Sequence, residues 1–378
     1  MPARKRKPTD VPTVADLCAA LQRLAPLELA QDWDNVGLLV GDRGARVRRA
    51  LLCIDLMPAV VIEAVRQDVQ FIVAYHPPIF KAITRLTIPA TDPTDAVFRC
   101  IAAGIAVYST HTALDAADGG TNDVIANMCG LKRTHALDYS QNRDAEVKLV
   151  TFIPAEHVDE VMQALFTAGA GWIGDYDKCS YRISGMGTFR GGQSTNPTIG
   201  RAGRYETVDE IRVETVARRN VLPQVVRALR DAHPYEEPAF DIYPIQPEPR
   251  RGIGRYGQLP KPTSLATLTR RLKKSTAAAT VQTVGNPQQP ISRVIICVGA
   301  AGALPFKVGL QRGDVVVTGE IRHHDALAIL RHNAAAIALG HWSSERPVLA
   351  PFRQKLLDLV PAMEVLISKD DREPFRHQ

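Results

Sequence analysis

The chain has 378 residues, 45% of them apolar and 23% charged, with a formal net charge of +6. That is an ordinary globular composition, enough for two or three domains or for one domain with an insertion. No run approaches the roughly 18 apolar residues of a membrane span, so no membrane association is expected.

Four of the positive charges, Arg4, Lys5, Arg6 and Lys7, precede the first predicted helix, and without them the balance is about +2. A solvated tail is the plain reading of this stretch, and weak nucleic-acid contact the alternative. No basic stripe interleaved with aromatics supports nucleic acid as a partner. Cysteines 18, 53, 100, 129, 179 and 297 are scattered without a C-x-x-C spacing. They read as small buried hydrophobes in a reducing compartment. With no apolar signal-peptide core at the N-terminus, the expected location is the cytoplasm.

Val14, Leu17, Leu21 and Leu24 have helical spacing, opened by Thr13 as N-cap. Asp32-Trp-Asp-Asn-Val-Gly37 is a polar turn leading into a short strand, Leu38–Val40. Ala50–Ile54 reads as a buried strand ending at Asp55, Pro58–Val65 as a helix with proline in its first turn, and Phe71–Ala74 as the next strand. A helix over 96–103 and a strand over 105–108 continue the alternation. Repeated strand–helix alternation predicts an α/β layer fold with a substantially parallel sheet.

The pattern changes near residue 146. Strands are predicted at 147–153, 179–187, 208–216 and 239–245, with helices at 155–168 and 222–232 and a Gly-, Ser- and Asn-rich loop at 191–200. This β-α-β-β-α-β order is the ferredoxin-like pattern. From Ile291 the α/β pattern resumes, with strands at 294–298, 314–317 and 335–339 and a helix at 324–333. The chain is therefore read as 1–145, an insertion at 146–250, and 251–378, with the Pro-rich stretch 244–262 as the return boundary.

Two residue pairs share one spacing and one context. His111 and Asp115 follow the apolar run 105–108, and His341 and Glu345 follow the run 335–339. His76 follows Phe71–Ala74. In open α/β sheets, ligands gather outside the carboxyl ends of strands. Three imidazoles and two carboxylates converging there would form a metal site, with enough ligands for two ions. Neutral imidazole and carboxylate suit zinc, manganese or iron. An i,i+4 pair alone is weak, since such neighbours recur on every helix, and a capping or core histidine is the plainer alternative.

Other polar residues cluster at the same strand ends. The prolines of His76-Pro-Pro-Ile-Phe80 stiffen the backbone after His76. Glu320, in Thr318-Gly-Glu-Ile-Arg-His-His-Asp325, fits a ligand, an orienting partner of a ligand, or a general acid/base. His323 and His324 fit substrate contact or proton transfer, or solvated helix-start positions. Asp34 and Asn35 fit substrate contact or a turn. Gly299-Ala-Ala-Gly302 lacks the full phosphate-loop patterns and reads as a tight turn. His233-Pro-Tyr-Glu-Glu-Pro238 reads first as a conformationally fixed loop and second as a site.

Five segments in this order, Asp32-Trp-Asp-Asn-Val-Gly-Leu-Leu-Val-Gly41, Tyr75-His-Pro-Pro-Ile-Phe80, His111-Thr-Ala-Leu-Asp115, Thr318-Gly-Glu320 and Gly340-His-Trp-Ser-Ser-Glu345, resemble the Nif-three-like dinuclear-metal family. That group carries the description GTP cyclohydrolase 1 type 2 homologue, and the insertion resembles the PII-like domain of its longer members. The resemblance implies a three-layer α/β/α fold, a homohexamer, and two divalent ions per chain held by His76, His111, Asp115, His341 and Glu345. It implies hydrolytic opening of a purine nucleotide ring, with GTP as the suggested substrate and Glu320 or His324 moving protons. Asp34, Asn35, Tyr75 and His323 would contact substrate. A non-catalytic metal- or nucleotide-binding protein with a regulatory insertion is the alternative. One departure concerns Tyr75, which stands where many members have a second histidine. A phenol, with a pKa near ~10, is a poor zinc ligand at neutral pH.

Overall fold

The computed structural model describes residues 11–88, 93–138, 146–174, 176–245 and 252–376. The basic stretch Arg4–Lys7, the boundary at residue 250, and Pro247 and Pro249 lie outside them. The chain forms two compact units, one of Met1–Ser140 with Pro249–Gln378 and one of Gln141–Glu248. Among the described residues, no helix is long and apolar enough to cross a membrane.

In the first unit the N-terminal part runs α1 (Val14–Leu24), β1 (Gly37–Val40), β2 (Arg49–Cys53), α2 (Pro58–Arg66), β3 (Phe71–Ala74), α3 (Thr94–Ala102), β4 (Ala106–Ser109), α4 (His111–Ala116) and α5 (Thr121–Cys129). The second unit contributes β5 (Glu146–Pro154), α6 (Val158–Thr167), β6 (Ser180–Arg190), β7 (Tyr205–Arg218), α7 (Leu222–Ala232) and β8 (Phe240–Pro244). The first unit then resumes with β9 (Arg255–Ser264), α8 (Leu265–Thr276), β10 (Gln282–Val284), β11 (Pro290–Ala300), β12 (Asp314–Glu320), α9 (His323–Arg331), β13 (Ala335–Ala338), α10 (His341–Glu345), α11 (Leu349–Leu359) and β14 (Glu364–Ile367).

The first unit holds two five-stranded sheets where the sequence suggested a single one. Their orders are β1-β4-β3-β2-β14 and β10-β13-β12-β11-β9. In the first, only the β1–β4 pair is antiparallel. In the second, β11, β12 and β13 run parallel and the edges β9 and β10 antiparallel. The central strands are apolar without interruption because both faces are covered. Along β2, Ala50 and Leu52 pack with α1 and α11, while Leu51 and Cys53 pack with α2 and α3. Along β11, Val294 and Ile296 pack with α5 and α8, while Ile295 and Cys297 pack with Ile329 of α9. Each fully buried Leu or Ile contributes roughly 1.5–3 kcal/mol. Cys53, Cys100, Cys129 and Cys297 lie in these cores as free thiols.

The Pro-rich return is not simply a boundary. β9 runs through Pro260 and Pro262 because it is an edge strand, and its pairing with β11 shifts register between Ile291 and Arg293. An edge strand tolerates residues without an N–H. Arg255 opens this strand, 1% exposed, and all its donors find partners. It forms a two-pronged ion pair with Asp123 of α5 at 2.7 and 2.9 Å and donates to the carbonyls of Ala117, Gly252 and Gly254.

The second unit has the element order β-α-β-β-α-β and one antiparallel sheet, β6-β7-β5-β8. Its core is Val147, Leu149 and Ile153 of β5 against Val161, Leu165, Val225 and Leu229 of α6 and α7.

Removing one partner of a buried pair leaves an uncompensated charge. Asp123→Ala is expected to cost the first unit about 3–5 kcal/mol. A lowered urea midpoint checks this, and a midpoint equal to wild type would contradict it.

Candidate metal centre

Both sheets of the first unit end at one place. Strand pairing continues past β3, with Tyr75 N–H donating to Cys53 O (2.9 Å) and His76 N–H to Ile54 O (3.0 Å). His111 follows β4 and donates its N–H to Tyr75 O at 3.0 Å. Its φ is +22°, outside the regions open to most side-chain-bearing residues. From the second sheet, Leu339 and Gly340 N–H bond Thr318 and Gly319 O, at 2.9 and 3.0 Å. Gly340, at φ +87°, turns the chain into α10. The i,i+4 spacing then sets His341 and Glu345 on one face.

The ligand atoms of His76, His341 and Glu345 all lie within 4.8 Å of one another. Glu345 is 3% exposed. Its Oε1 is 3.2 Å from His341 Nε2, and its Oε2 is 3.4 Å from His76 Nε2. The His76 ring lies 5.3 Å from the His111 ring and 5.5 Å from the His341 ring, centroid to centroid. Asp115 falls outside the tight trio, and its Oδ1 accepts from the hydroxyl of Tyr75.

The same arrangement recurs at each imidazole. Nδ1 of His76 is 2.9 Å from Asp55 Oδ1, Nδ1 of His111 is 2.8 Å from Asp34 Oδ1, and Nδ1 of His341 is 2.7 Å from Glu320 Oε1. A carboxylate on Nδ1 fixes the ring and the tautomer, and leaves Nε2 as the basic nitrogen for a ligand. Asp34 has no further capacity to spare. Its oxygens also accept from the backbone N–H of Asn35 and from both N–H and hydroxyl of Thr112. Asn35 itself donates to Ile79 O.

The donor set of imidazoles and carboxylates fits a divalent transition-metal ion such as zinc, manganese or iron. Two observations support the fit. Oε2 of Glu345 is buried without a hydrogen bond. A Cβ on Gly299 would stand 2.5 Å from Glu345 Oε1 and 3.2 Å from His341 Nε2, so glycine leaves room around these ligand atoms. The sequence reading of Gly299 as a tight turn did not anticipate this packing role.

The charges are strongly perturbed. Burial opposes a charge on His76, yet Asp55 and Glu345 hold its pKa at about 10. The Glu345 contact, against burial, holds His341 at about 9. Burial works to raise Glu345, but His341 and His76 bring it below the usual carboxylate range. Asp115 goes the other way. Burial pushes it up to about 6, with the Tyr75 hydroxyl opposing and the Glu345 charge adding. Burial also raises the Tyr75 phenol well above its ordinary value.

Tyr75, expected against substrate, is 1% exposed, with its hydroxyl spent on Asp115. His323 and His324 are exposed on the first turn of α9, their rings 5.5 Å apart. Glu320 is 56% exposed at the rim.

Two residues were missed by sequence reasoning. Asp55 was read only as a strand end. Asp371, near the C-terminus, is 3% exposed and joins the two halves of the site. It accepts from the backbone N–H of Ile54 and Asp55 beside His76, at 2.8 and 3.4 Å. It also accepts from Trp342 Nε1 at 3.1 Å and Arg346 at 2.5 Å, next to His341 and Glu345. An acid at the end of the chain carries no local signal for either role.

Comparison with known proteins gives one family. The Duf34/NIF3 description (NGG1p interacting factor 3) matches residues 12–374. A Mycobacterium tuberculosis protein named GTP cyclohydrolase 1 type 2 homolog is 37% identical over 339 residues, 88% of each chain. A Bacillus subtilis protein of the same name is 31% identical over 360 residues, 94% of this chain and 95% of the other. The crystal structure of a Staphylococcus aureus protein superposes with a TM-score of 0.80 at 27% identity, over 98% of this chain and all of that one. A Bacillus cereus protein related to NIF3 gives a TM-score of 0.71 at 28% identity, over 98% of this chain and 100% of the other.

The raised imidazole pKa values fix a sign. Stabilisation from the His76 and His341 charges in metal-free protein is full below about pH 6.5 and lost as pH rises through 9 and 10. The melting temperature of metal-free protein should therefore fall over this window. Zinc binding at pH 7 should release protons, and isothermal titration in buffers of differing ionisation enthalpy reads them. Zero net release would contradict the charge states. Asp371→Ala should weaken zinc affinity by about tenfold or more by chelator competition, since support residues of metal ligands commonly carry effects of that size. Asp371→Asn should fall between.

Proposed function

The chain belongs to the Duf34/NIF3 family, and from that premise we propose that it is a divalent-metal-dependent hydrolase opening the ring of a purine nucleotide. The observation that carries the reading is the set of three carboxylate-backed imidazoles around a buried glutamate. Stability alone does not call for this arrangement, since a buried ion group is often replaced by apolar packing without loss.

His76, His341 and Glu345 would hold the first ion, and His111 with Asp115 would complete a second position. A bound divalent ion supplies Lewis acidity and lowers the pKa of water toward neutrality. Asp55, Asp34 and Glu320 orient the three imidazoles. Glu320 is exposed enough to exchange protons with solvent. His323 and His324, on the exposed first turn of α9, are proposed to meet the nucleotide, with His324 in proton transfer. Net hydrolysis at C8 of a guanine nucleotide would open the imidazole ring and release formate. Asp34 and Asn35 are assigned to holding the site's shape, since both Asp34 oxygens and the Asn35 amide nitrogens are bonded within the protein.

The Tyr75 hydroxyl engages one of the two Asp115 oxygens, and burial with the Glu345 charge holds Asp115 nearer neutrality than Glu345, which supports unequal ion positions. Retention of a single ion without turnover is the second reading it favours.

One experiment separates these readings. Metal content and formate release from GTP are measured on untagged protein, beside Glu345→Ala and Tyr75→Phe. The proposal expects one ion retained through dialysis in wild type, a second bound only on added metal and more weakly in Tyr75→Phe, which loses a bond favouring the Asp115 anion, and no turnover in Glu345→Ala. Metal retention with no formate under any added metal would sink the hydrolase reading. No retained metal in wild type would sink the metal reading as well.

A further inference from the structure

The second unit contains a cavity of about 480 Å³, within the range of small-molecule sites. Its walls include Phe152, Phe189, Ile199, Glu210, Tyr235 and Glu237. The loop 233–238 forms one side and is held from within. His233 is buried, donates from Nε2 to Phe152 O at 3.0 Å and accepts the Tyr235 N–H on Nδ1 at 3.1 Å. Both ring nitrogens are used, and burial keeps the imidazole pKa low, so His233 acts as a neutral pin. The loop at 191–199 forms the opposite side. It is bonded to the first by Asn196 N–H to the Glu236 carboxylate at 3.2 and 3.3 Å, and by the Thr198 hydroxyl to Pro234 O at 2.6 Å. The cavity is thus pre-formed, not a gap between independent loops.

Its polar wall is unbalanced. The Tyr235 hydroxyl donates to Glu210 Oε1 at 2.9 Å, the Thr195 hydroxyl to Gly192 O at 2.8 Å, and Arg190 Nε to Gly203 O at 3.0 Å. Both hydroxyls and Arg190 Nε are thus engaged. The acceptors are not. Among the described residues, nothing donates to Glu210 Oε2 or to the Glu237 carboxylate. Glu210 is seated deliberately, since a Cβ on Gly187 would stand 2.2 Å from that same Oε2. Glu210, Glu236 and Glu237 face a single basic wall residue, Arg190. Aromatic rings and unfilled carboxylate acceptors together favour a donor-rich positive group on an apolar body.

We propose that this cavity binds a small organic cation, an ammonium or guanidinium on an aromatic or aliphatic body, with Glu210 as its anchor. Tyr235 holds the anchor in place, and Phe152 and Phe189 cover the apolar part. The proposal does not depend on the metal centre.

Isothermal titration of the full-length protein with a matched pair tests it. Tyramine and 4-hydroxyphenylacetate share a ring and differ in the sign of charge, and agmatine supplies a guanidinium. The expected result is saturable binding of tyramine or agmatine at one per chain and none of 4-hydroxyphenylacetate. Glu210→Gln, with an unchanged circular-dichroism spectrum, should weaken binding by about tenfold or more, as expected for loss of a charge-assisted bond. Ile199→Trp, filling the space from a half-exposed wall position, should weaken it independently. No saturable binding of either cation, equal binding of the anion, or wild-type affinity in Glu210→Gln would each overturn the proposal.

Discussion

A carboxylate buried between two imidazoles organises the first unit. Glu345 sits where water is excluded, and an unpaired charge there would cost several kcal/mol. Its two oxygens meet His341 and His76, which come from different sheets. The two sheets therefore have to end together, or one side of the charge is left bare. The small residues nearby follow from the same demand. Gly299 leaves room for the carboxylate, and Gly319 lets β12 pass His341, where an added Cβ would lie 2.9 Å from its Cα. Ser344 closes the turn by accepting the Gly299 N–H and donating to His341 O.

A separation set by two sheets needs a brace, and Asp371 supplies it. The C-terminal strand β14 lies parallel to β2, which brings the chain end beside Asp55. The Asp371 carboxylate then accepts from both halves at once. Ion-pairing with Arg346 fixes the helix carrying Glu345, and Arg346 also lies over the Trp342 ring at 5.0 Å. Local sequence sets each ligand on its strand end, while a contact more than 300 residues away in sequence sets the distance between them.

That division explains what the sequence revealed. The strand ends carrying His76, His111 and His341 were readable because each apolar run is local, and i,i+4 spacing needs only helix geometry. Of the partners on Nδ1, Glu320 was readable as an orienting residue, whereas Asp55 and Asp34 were not. Asp55 and Asp34 lie 21 and 77 residues from the imidazoles they hold, and nothing near them marks the pairing. Sheet membership was hidden for the same reason, since alternation fixes strands but not which strands pair. β9 was obscured by its own prolines, which only its edge position makes tolerable. Helix α8 carries a signal in Leu265, Leu268 and Leu272, all buried, which the adjoining Pro-rich stretch masks. The His233 loop was open between structure and site. It divides the roles, with His233 fixing the loop and its neighbours lining a cavity.

Two acids of the centre show how surroundings set chemistry. Glu345 is buried and Asp115 half-buried, yet one is pulled below the usual range and the other pushed up to about 6. Burial acts alike on both, so the difference lies in their partners. Glu345 faces imidazoles that bear positive charge, whereas Asp115 faces a phenol that gives up no charge near neutral pH and the negative Glu345 itself. A carboxylate already stabilised as an anion is ready to accept a cation, while one held nearer neutrality must first lose a proton. Environments that push like groups apart also assign them different roles. Here Asp115 stays raised although the Tyr75 hydroxyl and His111 both favour its anion, because burial and the neighbouring Glu345 charge outweigh them.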